Sequence, residues 1–211
     1  MFDDTSQFNV QKDQSAVVLQ RTKGRARCTF KLRDQQTVLD DLMQSGSFKV
    51  RFPNMEKGHA PEAVLLNTAG GLTGGDMLSF EGGIAASTAA VFTTQASERA
   101  YRALSGEAHV VTALTAGEGS HLEWLPQETI LFNGSRLSRT FDVDLADGAK
   151  LLAHESIVFG RTAMGEVVEH GYFSDLWRVR RNNKLIHADA VRLDGEILKT
   201  LSRAATLNGA N

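Results

Sequence analysis

The stretch Glu128–Phe132 (ETILF) and its echo 27 residues later, Glu155–Phe159 (ESIVF), decide the fold of this chain. Both are short apolar runs, and glycine-marked turns lie before and after each copy. A repeat of this length, with one buried strand per copy, predicts stacked β-coils. Two unrelated buried strands in a β-sandwich fit the same pattern equally well. The flanking glycines are Gly117, Gly119, Gly134, Gly148 and Gly160.

The segments that follow the repeat indicate more strands and turns. Thr140–Leu145 alternates apolar and polar residues, and Asp147–Gly148 then predicts a tight turn into a strand near Leu151. Residues 177–188 alternate around an Asn182–Asn183 turn, which predicts a second hairpin. The second half of the chain is therefore mainly β, with hairpins rather than βαβ units.

The first half of the chain combines strand signals with one helix signal. Arg27–Arg33 alternates apolar and basic residues, which predicts a half-buried strand, and Ser47–Phe52 predicts a short one. Thr37–Gly46 has apolar residues at helical spacing and a glycine stop, which predicts a short helix. Residues 1–15 are polar and predict a flexible leader, and residues 16–211 predict a single domain. The apolar residues of the helix pattern are Val38, Leu39, Leu42 and Met43.

Composition and charge exclude several classes of protein. The 211 residues include 23 Lys and Arg against 25 Asp and Glu, so no overall positive charge attracts nucleic acid or an anionic membrane. The single cysteine, Cys28, excludes an internal disulfide and a cysteine-based zinc site, and it alternates like a core residue. The early acids indicate no secretory signal, and no long apolar run indicates a membrane span, so we expect a cytoplasmic protein.

Three further patterns bear on possible chemistry. Asn67–Asp76 (NTAGGLTGGD) permits close backbone approach or an anion cradle, but a structural double turn is favoured because no Gly-Lys-Ser/Thr follows. The six histidines show no metal-ligand spacing, and Gly-x-Ser-x-Gly is missing from the sequence. The basic residues between Arg21 and Arg33 predict a solvated strand face or a docking surface for an acidic protein rather than a nucleic-acid stripe.

The longest motifs resemble the urease accessory protein family UreD, also called UreH. They are Asn67–Asp76, then FTTQA at Phe92–Ala96, then LEWLPQETILF at Leu122–Phe132, in the order and spacing of that family. The resemblance covers residues 16–205. It implies a right-handed, β-helix-like scaffold with one or two short helices. It also implies a non-enzymatic role: binding UreF, which recruits the GTPase UreG, and docking on apo-urease to promote nickel insertion.

The resemblance also directs the choice of metal-handling residues. A scaffold that passes nickel on needs oxygen or imidazole groups that hold the ion weakly enough to release it. We therefore expect no tightly bound cofactor and nickel only in transit. Asp76 and Glu128 lie inside the two longest family motifs and are the predicted transit residues, with Gln127 as a polar neighbour. Family members usually extend further at the C-terminus. A truncated chain is therefore expected, with an exposed apolar edge at residues 197–207 and a tendency to aggregate.

Two other functions remain as alternatives. A β-solenoid carbohydrate-active enzyme would use paired acids drawn from Asp142, Asp144, Glu128 and Glu155, but two Trp and two Tyr give few platforms for sugars. An autonomous nickel carrier would bind nickel tightly by itself, which the scattered histidines do not indicate.

Overall fold

The computed structural model describes residues 20–54, 58–161 and 164–206, so the predicted leader at residues 1–15 lies outside the described residues. These ranges contain fifteen strands and one short helix, α1 (Ile197–Leu201). In chain order the strands are β1 (Lys23–Arg33), β2 (Gln36–Gly46), β3 (Phe48–Arg51), β4 (Glu62–Asn67), β5 (Met77–Ile84), β6 (Ala89–Thr94), β7 (Glu98–Ala100), β8 (Ala108–Ala116), β9 (His121–Trp124), β10 (Thr129–Leu131), β11 (Arg136–Leu145), β12 (Lys150–Ala153), β13 (Ile157–Phe159), β14 (His170–Arg181) and β15 (Lys184–Glu196).

The strands form three sheets that the chain visits in turn. Sheet A has the order β15–β14–β11–β8–β5–β1–β2, sheet B the order β12–β9–β6–β4–β3, and sheet C the order β13–β10–β7. From β5 to β14 the chain passes through A, B and C repeatedly. Each strand pairs in parallel with the strand one coil earlier. The prediction of a mainly β scaffold of stacked coils is confirmed, and the sandwich is excluded.

The two copies of the repeat lie side by side as β10 and β13. Their paired residues are 28 positions apart, one more than the 27 positions that separate the similar residues in the sequence. Thr129 pairs with Ile157, 28 positions later, whereas His121 pairs with Lys150, 29 positions later. The connection from β12 to β13 is therefore one residue shorter than the connection from β9 to β10. Glu128 and Glu155 consequently do not occupy equivalent places in their coils.

Glycines make the predicted turns at the corners of the coils. Gly119 and Gly148 stack at the corner between sheets A and B, with φ of 62° and 66°. A Cβ on Gly148 would lie 3.6 Å from the Gly119 backbone, so space is available and the left-handed φ is what favours glycine.

The predicted helix at Thr37–Gly46 is wrong, because this segment is strand β2, which pairs antiparallel with β1. Asp34 and Gln35 have φ of 51° and 59° and make the tight turn between the two strands. A β-bulge shifts the register, since Thr29 pairs with Asp41 but Phe30 pairs with Leu39. That extra residue breaks the alternation of apolar residues and produces the helix-like spacing.

The two predicted hairpins have different outcomes. β14 and β15 pair antiparallel through Asn182 and Asn183, whose φ values are positive, so this hairpin is confirmed. The hairpin through Asp147–Gly148 is wrong, because β11 lies in sheet A and β12 in sheet B. The turn is a corner between sheets, and each strand pairs with the preceding coil instead.

Inward-facing side chains fill the space between the sheets. Cys28 is fully buried, as predicted, and burial followed by the nearby Asp41 charge raises the pKa of its thiol to about 12. A chain of aromatic rings runs through the core with neighbouring centroids 4.5–6.0 Å apart. In spatial order the rings are Phe30, Phe92, Phe80, Trp124, Phe141 and Trp177.

Antiparallel strands lie at both ends of the stack of coils: β2 and β3 at one end, and β15 at the other. The sequence predicts an exposed apolar edge at residues 197–207, but Ile197 and Leu201 of α1 are buried. Leu198 is exposed, and Leu207 lies outside the described residues. In the described residues at this end, β15 is the exposed element, with every residue except Leu193 exposed. In the described part of the chain, no helix has the length and apolar character needed to cross a bilayer.

Truncation of one core ring tests the importance of the aromatic chain. Phe92→Ala should lower the free energy of unfolding by about 3–5 kcal/mol, because Phe92 is fully buried and contacts two other rings. Urea denaturation followed by circular dichroism measures the loss. Leu185→Ala is the control, since Leu185 is half-exposed and should cost less than about 0.5 kcal/mol. Equal losses in the two variants would contradict this assignment of the core.

Candidate functional site

A cavity of about 210 Å³ lies inside the coils, between sheet A and the segments that connect sheets B and C. Apolar residues form part of its wall, among them Leu78, Val110 and Leu137 of sheet A. The loop Thr94–Arg99 forms another part. Charged side chains also line it, which is unusual for the interior of a coil and makes the cavity the candidate site.

The centre of this site is Arg139, which lies between Glu155 and Asp175 in the interior. Its Nη1 lies 2.6 Å from Glu155 Oε2, and its Nη2 donates to Asp175 Oδ2. All three side chains are only 11% exposed. One guanidinium therefore faces two carboxylates, which leaves an excess negative charge beside the cavity.

Strand register brings these three residues together. Arg139 of β11 pairs directly with Asp175 of β14, and both lie on the inward face of sheet A between apolar neighbours. Indole groups hold the two carboxylates: Trp124 Nε1 donates to Glu155 Oε1 at 2.6 Å, and Trp177 Nε1 donates to Asp175 Oδ2 at 3.2 Å. Among the described residues, Asp175 Oδ1 and Arg139 Nε have no hydrogen-bond partner.

Glu98 of β7 forms a second charged point on the cavity wall. The Asn67 side-chain amide donates to both of its carboxylate oxygens, at 3.3 and 3.2 Å, and the Arg99 backbone N–H donates to Oε1 at 3.1 Å. Burial is the largest influence and raises the pKa of Glu98. Asn67 thus connects the glycine-rich segment Asn67–Asp76 to the cavity.

The glycine-rich segment packs against protein rather than forming an open anion cradle. A Cβ on Gly71, whose φ is 146°, would lie 2.4 Å from the Tyr101 ring, and one on Gly74 would lie 2.1 Å from the Ser105 carbonyl oxygen. These glycines are required because the backbone of the next coil lies directly against them. The geometry agrees with the structural double turn that the sequence favours.

The two predicted transit residues have different surroundings. Asp76 is buried, and its two carboxylate oxygens accept the backbone N–H groups of Thr22 (2.7 Å) and Thr73 (2.8 Å). Glu128 is partly exposed and accepts a hydrogen bond from the Ser97 hydroxyl, which lowers the pKa of Glu128. Its neighbour Gln127 is exposed and lines the cavity.

In the ranges that the structure covers, no three His, Cys, Asp or Glu side chains are grouped to hold a metal ion. The transit role stays a prediction.

Other predicted candidates are held in ion pairs. Asp142, one of the acids considered for glycoside hydrolysis, lies 3.1 Å from Arg180 and faces away from Glu155. In the basic run, the cations of β1 are separated by two or four residues, so they share the outer face of the strand. Three of them form ion pairs with carboxylates. These pairs are Arg25–Glu81, Arg27–Asp41 and Lys31–Asp40. A solvated strand face is therefore the better description of that run.

Arg139, Asp175 and Glu98 are not among the residues predicted from the sequence. A usable signal was present, because Arg139 and Asp175 each occupy an inward position in an otherwise apolar alternation. A charged residue in such a position must find a buried partner. Sequence spacing could not supply the partner, since the two residues are 36 positions apart and meet only through the parallel register.

Comparison with known proteins identifies the relatives of this chain. A family model described as UreD urease accessory protein matches residues 22–211. A protein named urease accessory protein UreD from a Chelativorans species is 48% identical over 186 residues, which are 88% of this chain and 67% of that relative. One of the same name from Agrobacterium fabrum is 42% identical over 196 residues, 93% of this chain and 69% of its own. Urease accessory protein UreD 1 of Brucella melitensis is 45% identical over 196 residues, which are 93% of this chain and 70% of that relative.

Removal of Arg139 should strongly destabilise the fold. Arg139→Met leaves two buried carboxylates without their cation and should cost about 3–5 kcal/mol of unfolding free energy, measured by urea denaturation. The control carries Arg139→Met together with Glu155→Gln and Asp175→Asn, which removes all three charges. It should recover most of the loss, because no unpaired charge remains buried. A triple variant as unstable as Arg139→Met would show that packing rather than charge is responsible.

The raised pKa of Glu98 predicts a pH dependence of stability. A raised carboxyl pKa means that the neutral form contributes stability below the unfolded pKa, and this contribution is lost as pH rises through the folded pKa. Glu98→Gln stays neutral at every pH. Its unfolding free energy relative to the unmodified chain should therefore increase from about pH 4 to about pH 7, measured by urea denaturation. The exposed Glu118→Gln variant should show no such trend, and a flat difference for Glu98→Gln would refute the assignment.

Proposed function

Because this chain belongs to the UreD family of urease accessory proteins, we propose that it is a non-enzymatic scaffold for the insertion of nickel into urease. In this proposal it binds UreF, which recruits the GTPase UreG, and the assembly docks on apo-urease in the cytoplasm. GTP hydrolysis belongs to UreG, which agrees with a sequence that carries no P-loop motif. Nickel is the cargo of the assembly and not a resident cofactor of this chain.

One structural observation supports the proposal most strongly: all three family motifs meet at the same cavity. The glycine-rich segment contributes Asn67, Gly70 and Gly71 to its wall. The other two motifs contribute residues 94–96 and the segment around Trp124 and Gln127. The motifs lie on different coils, and parallel stacking places them side by side. Because the three motifs shared with the family surround one cavity, we infer that the function common to the family involves this cavity.

The two predicted transit residues suit a metal ion that must be released. Asp76 and Glu128 are carboxylates, which bind nickel less tightly than a closed set of histidine and cysteine ligands would. Glu128 is ionised, partly exposed and held by Ser97, so it is available for brief contact with a cation. Asp76 already accepts two backbone hydrogen bonds, so its substitution would disturb the loop as well as any contact with nickel.

Co-expression with UreF, UreG and apo-urease tests the proposed role. The chain should co-purify with UreF, and urease activity that depends on added nickel should require it. If the chain fails to associate with UreF, or urease matures equally well without it, the proposed function is wrong.

Glu128 gives the sharper test of nickel transit. Glu128→Gln should keep co-purification with UreF but reduce the nickel content of urease by about tenfold, the lower end of the effect of changing a residue that supports a metal site. Nickel is measured by elemental analysis of purified urease. Glu169→Gln, a change at an exposed glutamate, is the matched control and should leave nickel loading unchanged. Normal loading with Glu128→Gln would remove the transit role but leave the scaffold role standing.

A further inference from the structure

The charged residues on the wall of the cavity do not balance. Glu98, Glu155 and Asp175 supply three carboxyl groups, against the guanidinium groups of Arg139 and Arg99. Arg99 is exposed, so water and salt screen its charge. Even with Glu98 neutral, two carboxylates face the single buried guanidinium of Arg139. The wall therefore favours a ligand with a positive charge.

Asp175 has a hydrogen-bond acceptor to spare at this wall. The residue is 9% exposed, and its Oδ2 accepts hydrogen bonds from Arg139 Nη2 and Trp177 Nε1. Its Oδ1 is buried and has no hydrogen-bond partner among the described residues. A buried carboxylate oxygen without a donor costs free energy. A ligand that brings an N–H donor into the cavity would therefore be stabilised at Asp175.

The rest of the wall is largely apolar and aromatic. Leu78 and Leu137 contribute aliphatic surface, and the rings of Trp124 and Phe141 have centroids 5.9 Å apart. The faces of aromatic rings attract cations. The cavity has a volume of about 210 Å³. Because a buried cavity of about 150 Å³ is large enough for benzene, this one has room for a single ring with a short polar group.

The cavity reaches the surface beside the loop Thr94–Arg99. Three residues of its lining, Gln95, Ala96 and Gln127, are exposed. A small molecule can therefore enter between this loop and Gln127 without separating the strands of sheet A.

We propose that this cavity is a binding site for a small organic cation, an ammonium or amidinium group carried on a single apolar ring. The N–H groups of the cation face Asp175, and the ring packs against Trp124 and the aliphatic wall. A metal ion fits this wall less well, since in the described ranges no three His, Cys, Asp or Glu side chains are grouped around one point. The proposal goes beyond the role in urease maturation and does not rest on it.

Tryptophan fluorescence measures occupation of the cavity, because both tryptophans of the chain donate to the carboxylates at its wall. Titration of the purified chain with benzamidinium at about pH 7 should give a saturable change. Benzamide has a similar shape without the charge. It should bind about ten- to hundredfold more weakly, the range expected for a hydrogen bond to a charged group. Benzoate should not bind.

Two substitutions locate the ligand. Asp175→Asn leaves Arg139 paired with Glu155 and should weaken benzamidinium binding by about ten- to hundredfold. Asp144→Asn, the same change at an exposed position of β11, is the matched control and should leave the affinity unchanged. Val110→Phe places a ring in the cavity and should abolish binding, which keeps the test decisive if Asp175→Asn does not fold.

The absence of a saturable change with benzamidinium overturns the proposal, and so does equal affinity for benzamidinium and benzamide. Undiminished binding by Asp175→Asn or Val110→Phe, or an equal loss with Asp144→Asn, also overturns it. Association with UreF is measured separately. Failure of the proposed function would therefore leave the result at this cavity unchanged.

Discussion

The parallel pairing of successive coils is the constraint on which the rest of this structure depends. Once β5, β8, β11 and β14 are in register, every second side chain of sheet A is forced into one interior. Aromatic rings occupy much of that interior and touch from one coil to the next, with the Phe141 and Trp177 centroids 4.5 Å apart. The pairing buries these rings, and their packing in turn stabilises the pairing, because aromatic contacts add to the free energy of burial.

The same constraint explains why charged residues in the interior occur as a group. A guanidinium or carboxylate on an inward position has little access to water, so it is retained only with partners on the neighbouring coils. Arg139 and Asp175 are direct neighbours in register, and Glu155 reaches Arg139 from the segment before β13. The indole N–H groups of Trp124 and Trp177 contact the two carboxylates, which joins the charged group to the aromatic core.

Local sequence predicted the parts of the fold that local geometry decides. The glycine corners, strand β1 and the Asn182–Asn183 hairpin depend on backbone preference and alternation alone, and all three are present. β2 was mispredicted because a bulge shifts its alternation by one residue, and bulges leave no distinct mark in a single sequence. The charged group around Arg139 was missed because its members meet through a register set by three intervening turns. Distances along the chain give no indication of that register.

The glycine-rich segment supports the cavity through the path of its backbone. Gly71 and Gly74 have no room for a side chain, and the carboxylate of Asp76 is used by two backbone N–H groups. These residues fix the path of the backbone so that Asn67 can hold Glu98 at the cavity wall. A substitution at Gly74 would therefore change the cavity by moving its support, although Gly74 does not line it. Asp76, the acid inside the motif, takes part in this framework through its two backbone hydrogen bonds.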